Sequence, residues 1–449
     1  MVEHRLAAVV PTLNEIAAIG DVVRGLRASG ACCVFVVDGG STDGSQEAAR
    51  QAGAVVAEER RPGYGRACLT GAEVGAGHEL IAFLDGDGSC DPAELQTLQR
   101  AASKGADVVL GRRQDVQAGA LAWHARLGNR LVAGVLRARS GRPVHDVPPF
   151  KLVRADVLAS LRLDDAGYGW TVQLIGRALV HPALMVLEVP VRFCRRKGGN
   201  SKVSGRLGPS LRAACAMIVQ ACWATRRRGL LVLMAKAPGA GHSKTRLESS
   251  LGPGLTRSFW AACLCDAGTR LREAGSATGL YAASMTPSPE DAVEVRRLTG
   301  LPALAQGRPG LGEALLEVSG LPAPFTVAIS ADVPTLPRVL VLAALGALRR
   351  SPAVLGPGLD GGYYLVGLRR RVPRRRRERA YLKAPMGTAT VLEHTRTALG
   401  NAVLLPAWPD VDTVQDLHEL ARRLKCDPDA APAISAWLRD HGIQAEEAG

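Results

Sequence analysis

Asp85 and Asp87 stand one residue apart at the end of the apolar run Leu80-Ile81-Ala82-Phe83-Leu84, with Gly86 between them and Gly88-Ser89 behind. On an extended chain, carboxylates so spaced point the same way, and the glycines admit a ligand close to the backbone. A hard divalent cation such as Mg2+ is commonly held by one or two carboxylates together with substrate phosphates and water. One chemistry open to the pair is therefore a metal-diphosphate site at a strand end. Asp and Gly are equally the residues of tight turns, and a two-carboxylate motif alone leaves both readings standing.

The elements that would position such a site follow one another along the chain. Residues 6–13 form a buried apolar strand, Asn14-Glu15 opens its turn, and the spacing from Ile19 to Leu26 predicts a helix. A second apolar run, Cys33-Val34-Phe35-Val36-Val37, ends in Asp38 and the polar turn Gly39-Gly40-Ser41-Thr42-Asp43-Gly44-Ser45. Asp38 could accept hydrogen bonds from a base or ribose, whereas Ser41, Thr42 and Asp43 could simply cap the following helix. Strands alternating with helices and ending in polar turns predict an α/β sheet with its site at the strand ends. His145 and His181 are isolated beside proline-containing turns and are expected to be structural.

The segments Pro11-Thr12-Leu13-Asn14-Glu15, Val36-Val37-Asp38-Gly39-Gly40-Ser41-Thr42-Asp43-Gly44-Ser45 and Phe83-Leu84-Asp85-Gly86-Asp87 occur in this order. Together they resemble the family-2 inverting glycosyltransferases, and within them the polyprenyl-phosphate (dolichol-phosphate mannose or glucose synthase-like) branch. The resemblance continues through Asp107-Val108-Val109-Leu110-Gly111-Arg112, Asp146-Val147-Pro148-Pro149-Phe150-Lys151, Tyr168-Gly169-Trp170 and Glu188-Val189-Pro190-Val191 to Lys202. It implies that Pro11, Asn14, Glu15 and Asp38 line a nucleotide pocket, and that Asp85 and Asp87 bind Mg2+ or Mn2+ with the diphosphate. It also implies that Arg112, Arg195, Arg196 and Lys202 orient an anionic acceptor, Arg being suited to bidentate phosphate contact. Three positions depart from the pattern: Gly39 replaces a second aspartate, Ser89 replaces a glutamine, and Gln173 stands where relatives often carry a carboxylate.

After Arg226-Arg227-Arg228 the pattern begins again with Leu230-Leu231-Val232-Leu233-Met234 and the glycine-rich loop Ala237-Pro238-Gly239-Ala240-Gly241-His242-Ser243-Lys244. Such a loop can cradle phosphate, but its spacing is not that of a Walker A motif. Apolar runs then precede Asp332, Asp360 and the pair Asp410 and Asp412. This half resembles type-A glycosyltransferase-like proteins related to 2-phospho-lactate guanylyltransferase. Lys244 and Arg246 are implied phosphate ligands, and Asp332 and Asp360 metal ligands. The expectation is two tandem nucleotide-diphospho-sugar transferase domains of the α/β, Rossmann-like type-A fold, residues 1–228 and 229–449.

Composition narrows the partners. A formal charge of +14 favours anionic ligands. At 4% aromatic residues, with none interleaved among basic runs, nucleic acid is not expected. Ten cysteines without a CxxC pair suit a reducing cytoplasm, and the N-terminal segment reads as an opening strand and not a secretory signal. Leu211 to Ala224, followed by arginines, reads either as a packed helix or as one lying on a membrane surface. The run Arg369 to Arg379 reads as a solvated loop, with electrostatic attachment to a membrane as the alternative. The expected function is metal-dependent transfer of a sugar, with inversion, from a nucleotide-sugar donor to a lipid phosphate or other small acceptor. The expected place is the cytoplasm, with peripheral contact at the inner face of the membrane. Two alternatives are a nucleotidyltransferase making an activated precursor and a non-catalytic nucleotide-sugar-binding scaffold.

Overall fold

A computed structural model describes residues 5–198, 207–239, 244–400 and 402–443. Lys202 and residues 240–243 of the glycine-rich loop lie outside the described residues. The chain divides into two compact units, Met1–Arg226 and Arg227–Gly449.

The first unit is built on β1 (Leu6–Thr12), β2 (Cys33–Asp38), β3 (Val55–Glu58), β4 (Leu80–Phe83), β5 (Val108–Val116), β6 (Lys151–Arg154) and β7 (Val186–Phe193). Their order is β3-β2-β1-β4-β6-β5-β7, and only β6 runs against the others. Every residue of β1 is buried, as befits a central parallel strand covered on both faces. Its alternation divides two cores. Leu6, Ala8 and Val10 pack with Ile19, Val23, Leu26, Leu95 and Leu98, while Val9 packs with Val37, Ile81, Phe83 and Trp170 on the other face. The helix Tyr64–Val74 approaches that second face so closely that a Cβ on Gly71 would stand 2.1 Å from Val9 Cγ1. Only glycine permits this seating.

The second unit contains β8 (Leu230–Met234), β9 (Tyr281–Thr286), β10 (Ala303–Ala305), β11 (Phe325–Ser330), β12 (Ala353–Pro357), β13 (Tyr363–Arg369) and β14 (Val403–Leu404). The order β10-β9-β8-β11-β13-β12-β14 repeats the first sheet position for position, again with the sixth strand antiparallel. The chain thus carries two tandem α/β sheets of one topology, the type-A glycosyltransferase-like architecture expected from its motifs.

β4 ends at Phe83, so of the two conformations left open for Asp85-Gly86-Asp87 the chain adopts the turn. The arginine run is not a loop: after β13 it forms the helix Arg374–Leu382, closed by Arg374 on Glu378 at 2.7 Å. The helix Leu207–Ala224 packs within the first unit, with Ala221 and Ala224 buried and Arg139 Nε donating to Thr225 Oγ1 at 3.0 Å. No helix among the described residues is long and apolar enough to cross a membrane.

Candidate functional site

In the first unit the loops after β1, β2 and β4 meet at one edge of the sheet. The first two loops are stitched together by side chains. Asn14 N donates to Ser41 Oγ at 2.8 Å, Thr42 N to Asn14 Oδ1 at 2.9 Å, Glu15 N to Ser45 Oγ at 2.8 Å and Ile16 N to Asp43 Oδ2 at 3.1 Å. Asn14 adopts φ 55, a left-handed conformation that asparagine tolerates better than most residues. Asp38 is buried. One of its oxygens accepts from Gly40 N at 2.9 Å, Ser41 N at 2.8 Å and Gln46 Nε2 at 2.8 Å, and the other accepts from the Ser41 hydroxyl. These bonds fill one oxygen and leave the other with a single donor, so Asp38 shapes its own turn.

The cavity beneath these loops has a volume of about 330 Å3. Pro11, Glu15, Asp85, Asp87 and Arg196 line it, whereas Asn14 and Asp38 are not among its lining residues. The turn still brings Asp85 and Asp87 to the same cavity. Burial first, then the charge of Asp87, push the Asp85 carboxyl up to about 6, against the opposing pull of Lys151, Tyr64 and Arg113. Tyr64 Oη donates to Asp85 Oδ1 at 3.1 Å. Arg196, delivered by the segment after β7, reaches Glu15 at 2.6 Å and Asp87 at 3.5 Å. Lys197 N donates to Asp87 O at 3.1 Å, closing that segment onto the carboxylate turn.

Other expected residues fall elsewhere. Arg195 turns away, its Nε donating to Ala118 O at 2.5 Å. Arg112 contacts Gln114 at 3.2 Å, whereas the adjacent Arg113 is held by the Asp146 carboxylate at 2.7 and 3.0 Å. Burial opposes charge on Asp146, but Arg113 holds its carboxyl below the usual range. Gln173 grips the Asp164-Asp165 turn, accepting from Asp164 N at 2.8 Å and donating to Asp164 Oδ1 at 2.5 Å. His145 pairs with Glu188 at 2.6 Å, and buried His181 accepts from Ala183 N at 3.2 Å.

The cavity also includes Tyr168, from the Tyr168-Gly169-Trp170 segment, and Glu59 and Arg61, which no sequence motif marked. Glu59 accepts from Arg61 Nη2 at 2.7 Å and from Thr70 Oγ1 at 2.7 Å, bonds that hold its carboxyl well below the usual range. The available signal was the strand Val55–Glu58 running into Glu59-Arg60-Arg61-Pro62-Gly63.

In the second unit the corresponding strand ends surround a cavity of about 490 Å3 lined by Lys236, Lys244, Trp260, Thr286, Asp332 and Asp412, among others. Lys244 Nζ contacts Asp332 at 2.5 Å, Asp412 at 2.6 Å and Val411 O at 2.6 Å, and lies 5.1 Å from the Trp260 ring centre. Its three protons are thereby engaged. Burial opposes its charge, but the two carboxylates more than offset this and raise its pKa. Arg246 and Asp360 are exposed and do not line this cavity. Asp410, pushed up to about 6 by burial and by Asp412, completes an acidic edge. Asp412 and Asp410 were visible in the sequence as a second one-apart pair. Among the described residues no group of three or more acidic, histidine or cysteine side chains is arranged to hold a metal by itself.

Residues 7–162 match the family described as Glycosyl transferase family 2. Residues 271–388 match a family described as an uncharacterized protein conserved in bacteria (DUF2064). The chain is 37% identical over 211 residues to an uncharacterized glycosyltransferase of Mycobacterium bovis, covering 47% of this chain and 95% of the relative. It is 30% identical over 221 residues to the polyprenol monophosphomannose synthase of Mycolicibacterium smegmatis, covering 45% and 82%. It is 31% identical over 216 residues to the undecaprenyl-phosphate mannosyltransferase of Micrococcus luteus, covering 45% and 88%.

Proposed function

The chain belongs to glycosyltransferase family 2, and from that premise we propose that its first unit transfers a sugar, with inversion, from a nucleotide-sugar donor to a polyprenyl phosphate or similar acceptor. The observation that carries this reading is the convergence of Pro11, Glu15, Asp85, Asp87 and Arg196 on one cavity at the strand ends. The names of two relatives, a polyprenol monophosphomannose synthase and an undecaprenyl-phosphate mannosyltransferase, support the choice of acceptor class.

Asp85 and Asp87 are the residues that would hold Mg2+ or Mn2+, and the fit is electrostatic. Two carboxylates crowded until one is pushed up to about 6 gain from a shared cation. When bound, the ion would supply Lewis-acid stabilisation to the departing diphosphate. Arg196 bridges Glu15 and Asp87 and fixes the wall of the cavity against which the diphosphate would lie. An oxygen of the acceptor phosphate attacks the anomeric carbon from the face opposite the leaving group. The carbon-oxygen bond to the diphosphate breaks, and its electron pair leaves with that oxygen. A phosphate acceptor is already anionic, so no side chain must remove a proton. The engagement of Gln173 in its own turn agrees with a site that lacks a general base there. Arg112, Arg195 and Lys202 are proposed to steer the acceptor phosphate, which requires Arg112 to leave Gln114 and Arg195 to leave the Ala118 carbonyl.

The second unit is proposed to bind a nucleotide or another phosphate ester, in keeping with a nucleotidyltransferase-like role. Asp332 and Asp360 remain the proposed cation ligands, and Lys244 and Arg246 the proposed phosphate contacts, with Asp360 and Arg246 acting from outside the cavity's lining. Lys244 reaches a phosphate only if the ligand displaces it from Asp332 or Asp412.

The test is incubation of the full chain with labelled nucleotide sugars, polyprenyl phosphate and Mn2+. A lipid-extractable sugar phosphate with the anomeric configuration opposite to the donor's is expected. Pyrophosphate release from nucleoside triphosphates, with no sugar reaching the lipid from any donor, would favour the nucleotidyltransferase reading instead.

A further inference from the structure

In the second unit's cavity the charge of Asp332 and Asp412 is balanced from within the chain. The Lys244 side chain is only 4% exposed, and three oxygens close on its ammonium: Asp332 Oδ1 at 2.5 Å, Asp412 Oδ1 at 2.6 Å and Val411 O at 2.6 Å. The Trp260 ring, whose centre lies 5.1 Å from Nζ, is itself fixed by Nε1 donating to Lys236 O at 2.9 Å. The acidic partners are as firmly placed as the lysine. Asp332 Oδ2 accepts from Ser330 Oγ at 2.9 Å, Val411 N donates to Asp332 O at 3.1 Å, and Asp412 N donates to Asp416 Oδ2 at 3.0 Å. Holding Lys244 here has a conformational cost, because its backbone lies at φ 64 and ψ 40, in the left-handed region that a residue with a side chain rarely adopts.

Carboxylate and carbonyl oxygens gathered about one point are also the donors a hard divalent cation takes, so the ammonium and such a cation compete for Asp332. A free cation entering alone would expel Lys244 and leave a buried ammonium beside a dication. A phosphate entering alone would draw Lys244 away and leave Asp332 and Asp412 facing another anion. Joint entry exchanges the partners and leaves no charge unpaired: one phosphate takes Lys244, while the cation, held by a second phosphate, takes Asp332. A phosphate monoester has one phosphate for both tasks, whereas a di- or triphosphate has one for each. Lys236, exposed at the same cavity, adds a further positive contact for the incoming anion.

We propose that Lys244 is an internal counter-ion that bars the second unit to a free divalent cation and to a free phosphate, and yields to the two together as a metal-complexed di- or triphosphate. The inference deepens the phosphate-ester reading above and rests on it for the class of ligand. Cation and anion then raise each other's affinity by the same factor. The test uses the full chain carrying Asp87→Ala, which removes a proposed cation ligand of the first unit, and three probes: Mn2+ alone, inorganic phosphate and inorganic triphosphate. Free Mn2+ is followed by its paramagnetic resonance signal and anion binding by titration calorimetry. Triphosphate is expected to bind at least about tenfold more tightly with Mn2+ than without, and inorganic phosphate no more tightly with Mn2+ than without. Adding Lys244→Met should admit Mn2+ alone at least about tenfold more tightly, while Lys244→Arg, which keeps the charge, should keep Mn2+ out. Melting profiles show whether each variant is folded; if Lys244→Met is not, the Mn2+ dependence of triphosphate binding decides alone. Mn2+ binding to the Asp87→Ala chain as tightly as after Lys244→Met, or triphosphate binding equally tightly with and without Mn2+, would overturn the proposal. Exclusion of Mn2+ that Lys244→Met relieves, with no triphosphate bound under any condition, would uphold the counter-ion and defeat the phosphate-ester reading instead.

Discussion

Asp85 is held by the fold in a state that favours its proton. Its carboxyl, pushed up to about 6 by burial and by Asp87, keeps a proton across a range in which an unfolded aspartic acid, with a pKa of about 3.9, has lost it. The folded state binds more protons there, so the stability of the metal-free protein falls as pH rises from about 4 to about 6. Asp85→Asn removes that slope. In metal-free buffer above pH 6 the variant is expected to melt higher than the parent by at least about 2–4 °C, the response to one kcal/mol in a unit of this size. Its sugar transfer should meanwhile be lost. Melting curves across the pH range, beside an activity assay, check both halves of this expectation. At this scale the sequence was partly informative. Asp85 and Asp87 announced themselves by spacing, but their convergence comes from a turn. Asp38 announced itself equally well, yet backbone N-H groups two and three residues ahead, with Gln46, already occupy one of its oxygens. No inspection of residue types reveals which acceptors are already satisfied.

At the scale of elements, strand alternation decides between adjacent candidates. Arg112 and Arg113 are neighbours on β5, so their side chains leave opposite faces, and only Arg113 meets Asp146, a partner from a distant segment. Arg113→Ala would leave the Asp146 carboxylate buried and unpaired, a loss expected to cost about 3–5 kcal/mol. Arg112→Ala should change stability by no more than about 0.5 kcal/mol. Denaturant unfolding of both variants tests the contrast. Helix Tyr64–Val74 offers a second case. Gly71→Val would drive a side chain into Val9, costing about 1–3 kcal/mol, and would shift the helix whose first residue, Tyr64, bonds Asp85. Loss of sugar transfer beyond the fraction of protein unfolded is expected, read by activity normalised to folded protein. The strands were legible because buried parallel strands are continuously apolar. The helix in the arginine run was not, because its charge resembles that of a solvated loop.

Across the whole molecule, one sheet topology is used twice with an exchange of charge. In the first unit the loop after the first strand supplies Glu15 and the segment after the seventh supplies Arg196, which meets Glu15 and Asp87. In the second, the segment after the first strand supplies Lys244 and the segment after the seventh supplies Asp412, while Asp332 holds the place of the fourth-strand carboxylate. The repetition was readable from apolar runs ending in carboxylates. The exchange was not, because it depends on which strand ends lie side by side. Two sites so alike in framework and so different in charge should do different work, and this separates the units experimentally. The most direct measurement is transfer of labelled sugar from nucleotide donor to polyprenyl phosphate by the full chain and by two variants, Asp87→Ala and Asp332→Ala. Loss of transfer by at least about a hundredfold in Asp87→Ala, with Asp332→Ala near the parent rate, is the expected result. Transfer that survives Asp87→Ala, or that disappears only in Asp332→Ala, would contradict the assignment of glycosyl transfer to the first unit.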